Sequence, residues 1–385
     1  MIAEIKLFFS ALSQKLKANK SKSKLGKKLS DELLIIDEIL KNHSVQLPKK
    51  GTLIVKCDDI GDFLVWQNVI PILEEKCERP ILFIGNAVVK PLVDDYFDFA
   101  DEYIWVNKSL WQDENYRKEL YAKALQFNAS KALEPMFSRN FIMDDMFLKV
   151  SNAKERIAWD VKMDHFLKSI KGLNGITTQN IVSSIPIQHE IYRNFEFVTK
   201  VFQLVNEPIF NPKFKNFNKK KTLILVPVGS VKSKNWDRDN FVKMLNAIEQ
   251  NFDQILLIGA NNSLETSFYI EQSFANPKLM NLTAQTSLSE IFALIGEAQL
   301  LISPDTFAIH VAAMTETDAI VLSNGMNWQR FINYQGFIKS RMAMIFPPHF
   351  KPKFNHLKKY YSSSEIQSIS VDAVVNQVHE ILQIK

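Results

Sequence analysis

Three side chains in or beside turns are of types that could do chemistry: Asp62, Asp305 and His310. The stretch LISPDTFAIHVAAM (301–314) reads as a short buried strand turning directly into a helix. Gln299–Ser303 is apolar enough for an inner strand, Pro304 interrupts it, and Asp305 stands at the expected helix N-cap. A group lying in front of that turn meets unpaired backbone N–H groups and the positive end of a helix dipole, an arrangement suited to phosphate. The alternative is an ordinary N-cap followed by a core histidine at position 310. In the turn DDIGD (58–62), Gly61 permits either a positive φ or a close approach of backbone to a neighbour. Asp62 then begins a helix, where its carboxylate either caps the backbone or faces a cleft. GSVKSKNW (229–236), which contains Lys234, is a polar turn.

These turns need rigid elements behind them. TLIVKC (52–57) is a continuous apolar strand and Phe63–Cys77 an amphipathic helix. Strands follow near Ile81–Gly85 and Tyr103–Val106, then a less regular helix-rich region to Val150, then RIAW at 156–159. Gln188–Val205 reads as one helix. The stretch at 206–221, with prolines, asparagines and a lysine cluster, is the best domain boundary. A second alternation then begins, with strands at 222–228, 254–259, 281–283 and 318–323 and helices at 238–250, 264–274 and 287–296. Strands alternating with helices predict parallel, doubly wound sheets, and two of similar size make a cleft between them. The expected division is an extension at 1–50, a first domain at 51–205, a linker at 206–221 and a second domain at 222–385.

With 385 residues, 46% of them hydrophobic, the chain can bury two cores. No run approaches the ~18 apolar residues of a membrane span. Cys57 and Cys77 form neither a disulfide framework nor a zinc pattern, which fits a reducing cytoplasm. No metal-ligand cluster is evident, and neither a metal nor a cofactor is expected. Residues 1–28 carry eight lysines and one glutamate, a formal +7 that leaves the rest of a +5 chain at −2. Ile5, Phe8, Phe9, Leu12 and Leu16 fall on one helical stripe with lysines beside it, matching an anionic membrane face. The alternative is a solvated leader. Aromatic–basic interleaving is missing, so nucleic acid is not expected as a partner. A second helix at about Ser30–Lys41, with Leu33, Ile36 and Leu40 at helical spacing, is expected to pack on the body.

Four blocks resemble glycosyltransferase family 9, the bacterial heptosyltransferases of lipopolysaccharide core assembly. They are IVKCDDIGDFLVWQNVIPIL (54–73), VPVGSVKSKNWDRDNFVKML (226–245), ILLIGANNSLE (255–265) and LTAQTSLSEIFALIGEAQLLISPDTFAIHVAAM (282–314). The resemblance implies a GT-B fold, two Rossmann-like α/β domains facing across a cleft, with the basic helical extension outside it. It implies metal-independent, inverting transfer from a nucleotide-diphosphate sugar, ADP-heptose in particular, to a lipid-linked oligosaccharide such as lipopolysaccharide core. The enzyme would work in the cytoplasm, peripheral to the inner face of the membrane. Carried over, Asp62 is the general base, Lys234 a ligand of the donor phosphates, and Asp305 and His310 donor-site residues. Gly229 and Ser230 line the phosphate pocket, Gly259 marks the glycine-bearing strand end, and the amides of Thr306 and Phe307 cap the phosphate. The chain departs from the pattern at Phe307, where the family has glycine, and at Asp237, where it has proline. Phe307 opens a second reading, a catalytically silent nucleotide-sugar-binding or scaffold protein. A ring filling the pocket favours silence, whereas a ring packed away leaves the site open. A sugar-nucleotide epimerase of the same architecture would not explain the Gly-Asp turn together with the basic leader.

Overall fold

The computed structural model describes residues 24–42, 48–160, 170, 172–185, 188–205, 217–229, 231–325, 328–332, 334, 336–350 and 366–384. The apolar stripe of the leader at 5–16 and Ser230 lie outside the described residues. Two sheets of six strands each organise the chain. The first comprises β1 (Thr52–Lys56), β2 (Ile81–Asn86), β3 (Glu102–Val106), β4 (Lys131–Glu134), β5 (Glu155–Trp159) and β6 (Gln179–Ile181). The second comprises β7 (Lys220–Leu225), β8 (Gln254–Leu257), β9 (Leu279–Asn281), β10 (Ala298–Pro304), β11 (Asp318–Leu322) and β12 (Met342–Ile345).

The strand orders are β3-β2-β1-β4-β5-β6 and β12-β11-β10-β7-β8-β9, and every pairing is parallel. Both are therefore doubly wound sheets with the same internal order, reversing between β1 and β4 and between β7 and β10. Ligands of such sheets bind at these reversal points, beyond the carboxyl ends of the strands. The central strands are buried on both faces, which explains their unbroken apolar runs TLIVK and AQLLISP.

Several expectations need correction. The segment 63–77 is two helices, Ile60–Trp66 and Ile70–Lys76, joined by a 3₁₀ turn at Gln67–Val69. Pro71 explains the break, because it lacks an N–H and crowds the carbonyl one turn before it. The region before Val150 contains β4, and β10 continues through Pro304, which pairs with Leu322. The linker's last residues, Lys220 and Lys221, belong to β7. The helix at 24–42 is packed on the body: Leu29, Leu33 and Ile36 are buried with Leu53, Val55 and Tyr121. Glu32 fastens it, accepting from Tyr121 Oη at 2.6 Å and Arg117 Nε at 2.8 Å. Among the described residues, no helix is long and apolar enough to cross a membrane.

Candidate functional site

The two sheets face each other through the helix that follows β1 and the helix that follows β10. Helix Ile60–Trp66 lies against helix Phe307–Met314, with Gly61 facing His310 in that contact. A Cβ at Gly61 would sit 2.9 Å from His310 Cδ2 and 3.2 Å from its Nε2. Close approach, rather than a positive φ, is thus what glycine supplies here. Gln67 Nε2 donates to Met314 Sδ at 2.9 Å, and Tyr96 stacks on Phe292 at 4.9 Å, extending the contact between domains.

Asp62 occupies the first turn of its helix, and Asp59 is the N-cap residue. The Asp62 carboxylate caps nothing. It lines a cavity of about 130 Å³ together with Lys56, Asp58, Glu190, Asn194 and Arg330. Lys56 projects from β1 and is ion-paired with Asp58. Burial raises the Asp62 carboxyl above the ordinary carboxylate range; Lys56 and Arg330 oppose that shift, whereas Glu190 and Asp59 reinforce it. Burial likewise pushes Asp58 up to about 7 despite Lys56. For Lys56, burial favours loss of the proton, but Asp58 and Asp62 outweigh it and hold the ammonium above its usual range.

Across the contact, β7 and β10 end in the second group. Lys234 Nζ donates to Asp305 Oδ2 at 2.8 Å and to the Asp305 carbonyl at 3.3 Å, with both side chains buried. Asp305 therefore precedes the helix cap instead of forming it. The N-cap is Thr306, whose hydroxyl accepts from the Ala308 amide at 3.2 Å. Gly229 abuts that cap: a Cβ there would meet Thr306 Cγ2 at 3.2 Å. Asn235 Oδ1 accepts from the Gly229 amide, and Asn262 Nδ2 donates to its carbonyl. Asn262 belongs to the turn after Gly259, a position where a Cβ would come within 2.7 Å of Ser263 Oγ. Gly259 thus shapes the turn that steadies Gly229.

His310 is fully enclosed. Its Nδ1 is 2.7 Å from Tyr334 Oη, and burial, aided by the Lys234 charge, pushes its pKa down to about 3. The ring at the domain contact is therefore neutral at physiological pH. Phe307 is half-buried, packed on the apolar cluster that also includes Ile60 and Phe331, and it is not among the residues lining the cavity. Trp236 is core, with its indole N–H on the Ile369 carbonyl at 3.0 Å. Asp237 caps helix Arg238–Ile248, its side chain accepting from the Asp239 amide.

Residues 187–335 match the model of glycosyltransferase family 9 (heptosyltransferase). The likeness to that family covers this segment, which is less than half of the chain. Of the residues above, the matched segment includes Gly229, Lys234, Asp305, His310 and Arg330; Asp62 lies before it. No curated protein matches the chain in sequence. The fold is the GT-B fold of solved heptosyltransferases. ADP-heptose lps heptosyltransferase II of E. coli is similar, with a TM-score of 0.61 at 14% identity, covering 86% of this chain and 98% of that one. E. coli heptosyltransferase WaaC with ADP-2-deoxy-2-fluoro heptose gives 0.60 at 12%, covering 86% and 99%. A family 9 glycosyl transferase from Veillonella parvula gives 0.59 at 14%, covering 89% and 100%.

Lys56, Asp58, Glu190 and Arg330 were not singled out by the sequence reading. Lys56 had a signal, a lone charge inside an otherwise apolar inner strand. Arg330 had none, because it sits in the irregular π-helical turn Trp328–Ile332.

Proposed function

We propose that the protein is an inverting glycosyltransferase that moves a sugar from a nucleotide-diphosphate donor to a hydroxyl of a lipid-linked glycan. The observation that carries this reading is Asp62, a carboxylate aimed into an interdomain cavity and engaged in no cap. Inversion needs one carboxylate to take the acceptor's proton as the hydroxyl attacks the anomeric carbon, and Asp62 serves as that base. The departing diphosphate gathers negative charge, which Lys234 and the helix N-terminus at Thr306–Phe307 offset.

A heptose donor carrying ADP is the expected one. The solved relative captured with ADP-2-deoxy-2-fluoro heptose supports it, as does the family's description. The lysine-rich residues 1–28 would hold the enzyme at an anionic membrane surface where a lipid-linked acceptor, such as lipopolysaccharide core, is presented. The test is thermal unfolding against a panel of nucleotide-diphosphate sugars, followed by a transfer assay with the stabilising donor. The cognate donor at about 100 times its Kd adds about 2.7 kcal/mol of stability. Stabilisation without transfer would favour the silent reading, and no response to any donor would reject both. Removing residues 1–28 should leave that stabilisation intact while weakening binding to anionic vesicles. Unchanged vesicle binding would remove the membrane role.

A further inference from the structure

We propose that Arg330 is a positioning residue for Asp62, an electrostatic partner that the donor-side domain inserts into the acceptor-side cavity when the two domains are seated. The inference rests on Asp62 being the base, and it concerns how that base is made ready. Arg330 belongs to the second domain, in the turn Trp328–Ile332 that follows β11. Its side chain leaves that domain. Nε donates to Glu190 Oε1, and one terminal nitrogen donates to Ser138 Oγ at 2.8 Å, both partners lying on first-domain elements.

The hold is specific in geometry. Glu190 opens the helix Glu190–Phe202 and is shared with Arg193, whose Nε reaches the same Oε1 at 3.2 Å. Ser138 follows β4. Phe137, its neighbour, has the Arg193 guanidinium 3.6 Å from its ring centroid and that of Arg330 at 5.9 Å. Phe331 covers Arg330 on its own side at 4.9 Å. Planar, forked guanidinium chemistry suits such a stacked and multiply bonded seat, which an ammonium would fill less well.

The charges facing Asp62 make this cation consequential. Lys56 comes from β1, Asp58 and Asp59 from the turn, Glu190 from the first-domain helix Glu190–Phe202, and Arg330 from the opposite domain. His310, packed on Gly61, is neutral and contributes no charge. Within the first domain Lys56 is paired with Asp58, Lys108 with Asp59 and Arg193 with Glu190, so each of these cations is already engaged by a carboxylate other than Asp62. Arg330 adds a second cation to Glu190 beside Arg193 and opposes the burial that favours protonated Asp62. A general base must be ionised when the acceptor arrives. The arrangement thereby ties readiness of the base to seating of the domain that carries the donor.

The experiment follows Asp62 itself. Its carboxyl carbon is titrated by ¹³C NMR in the full chain, assigned by difference from Asp62→Asn, and compared in Arg330→Gln and Arg330→Lys. Loss of the cation should move the Asp62 titration up by roughly one pH unit, the lower end for an adjacent opposite charge. Arg330→Lys should restore part of that shift. In the transfer assay the acid limb should move up with it, and kcat should fall about tenfold on that limb with donor KM nearly unchanged. An Asp62 titration that stays in place in Arg330→Gln, with only a lower unfolding temperature, overturns the proposal and leaves Arg330 a structural clasp. Should the wild type transfer no sugar, the functional reading fails while the NMR titration still decides the role of Arg330.

Discussion

Asp62→Asn should lower turnover by about 10²–10⁴-fold while donor affinity stays nearly unchanged. The variant keeps the size of the side chain and its place in the helix's first turn, and removes only the proton acceptor. Because the Asp62 carboxylate forms no cap, the substitution should cost little stability, so turnover and unfolding separate cleanly. Wild-type activity should itself fall on acidification through a pKa above the ordinary carboxylate range, since burial raises Asp62 and its protonated form accepts nothing. Normal turnover in Asp62→Asn would remove the centre of the mechanism. Full activity down to pH 4 would show that Asp62 is not the titrating base.

Lys234→Met should be the most destabilising of the site substitutions. The Lys234–Asp305 pair is enclosed, and deleting one member of a buried ion pair costs about 3–5 kcal/mol. A loss of donor binding in the single variant is therefore ambiguous, because the phosphate turn itself would be disturbed. The double variant Lys234→Met/Asp305→Asn resolves this. Neutralising the carboxylate should recover much of the stability, whereas affinity for the nucleotide diphosphate should stay low. If the double variant binds nucleotide as the wild type does, Lys234 is a structural member of the turn and the diphosphate is held elsewhere.

The fold was legible because its central strands announce themselves. TLIVK, QILL and LLIS are buried on both faces, so they appear as apolar runs bounded by turn residues. The strands that escaped notice are short, and two of them end a sheet. KALE at 131–134 has no β-branched residue, and its strand conformation comes from pairing with β1 and β5. The site was legible where a turn and its side chain are contiguous, as at Gly61–Asp62 and Thr306–His310. Asp305 and Thr306 exchange roles relative to expectation because only the fold reveals that Lys234 claims Asp305, leaving the threonine hydroxyl to cap. Arg330 and Glu190 could not be paired from sequence, since their contact exists only once two separate domains have met.

The apolar contact between the domains has a thermodynamic consequence. One continuous cluster runs from Ile54, Phe63 and Phe97 through Phe292 to Leu301 and Val311, so neither half buries its facing surface without the other. Halves joined in this way lose their mutual burial together and should unfold as one cooperative unit rather than as two independent ones. A single calorimetric transition is the expected sign, with its calorimetric and van't Hoff enthalpies in agreement; two resolved transitions would show that the halves melt separately. On that basis, a lesion at Lys234 in one half is felt as lost protection against amide exchange in β1 of the other.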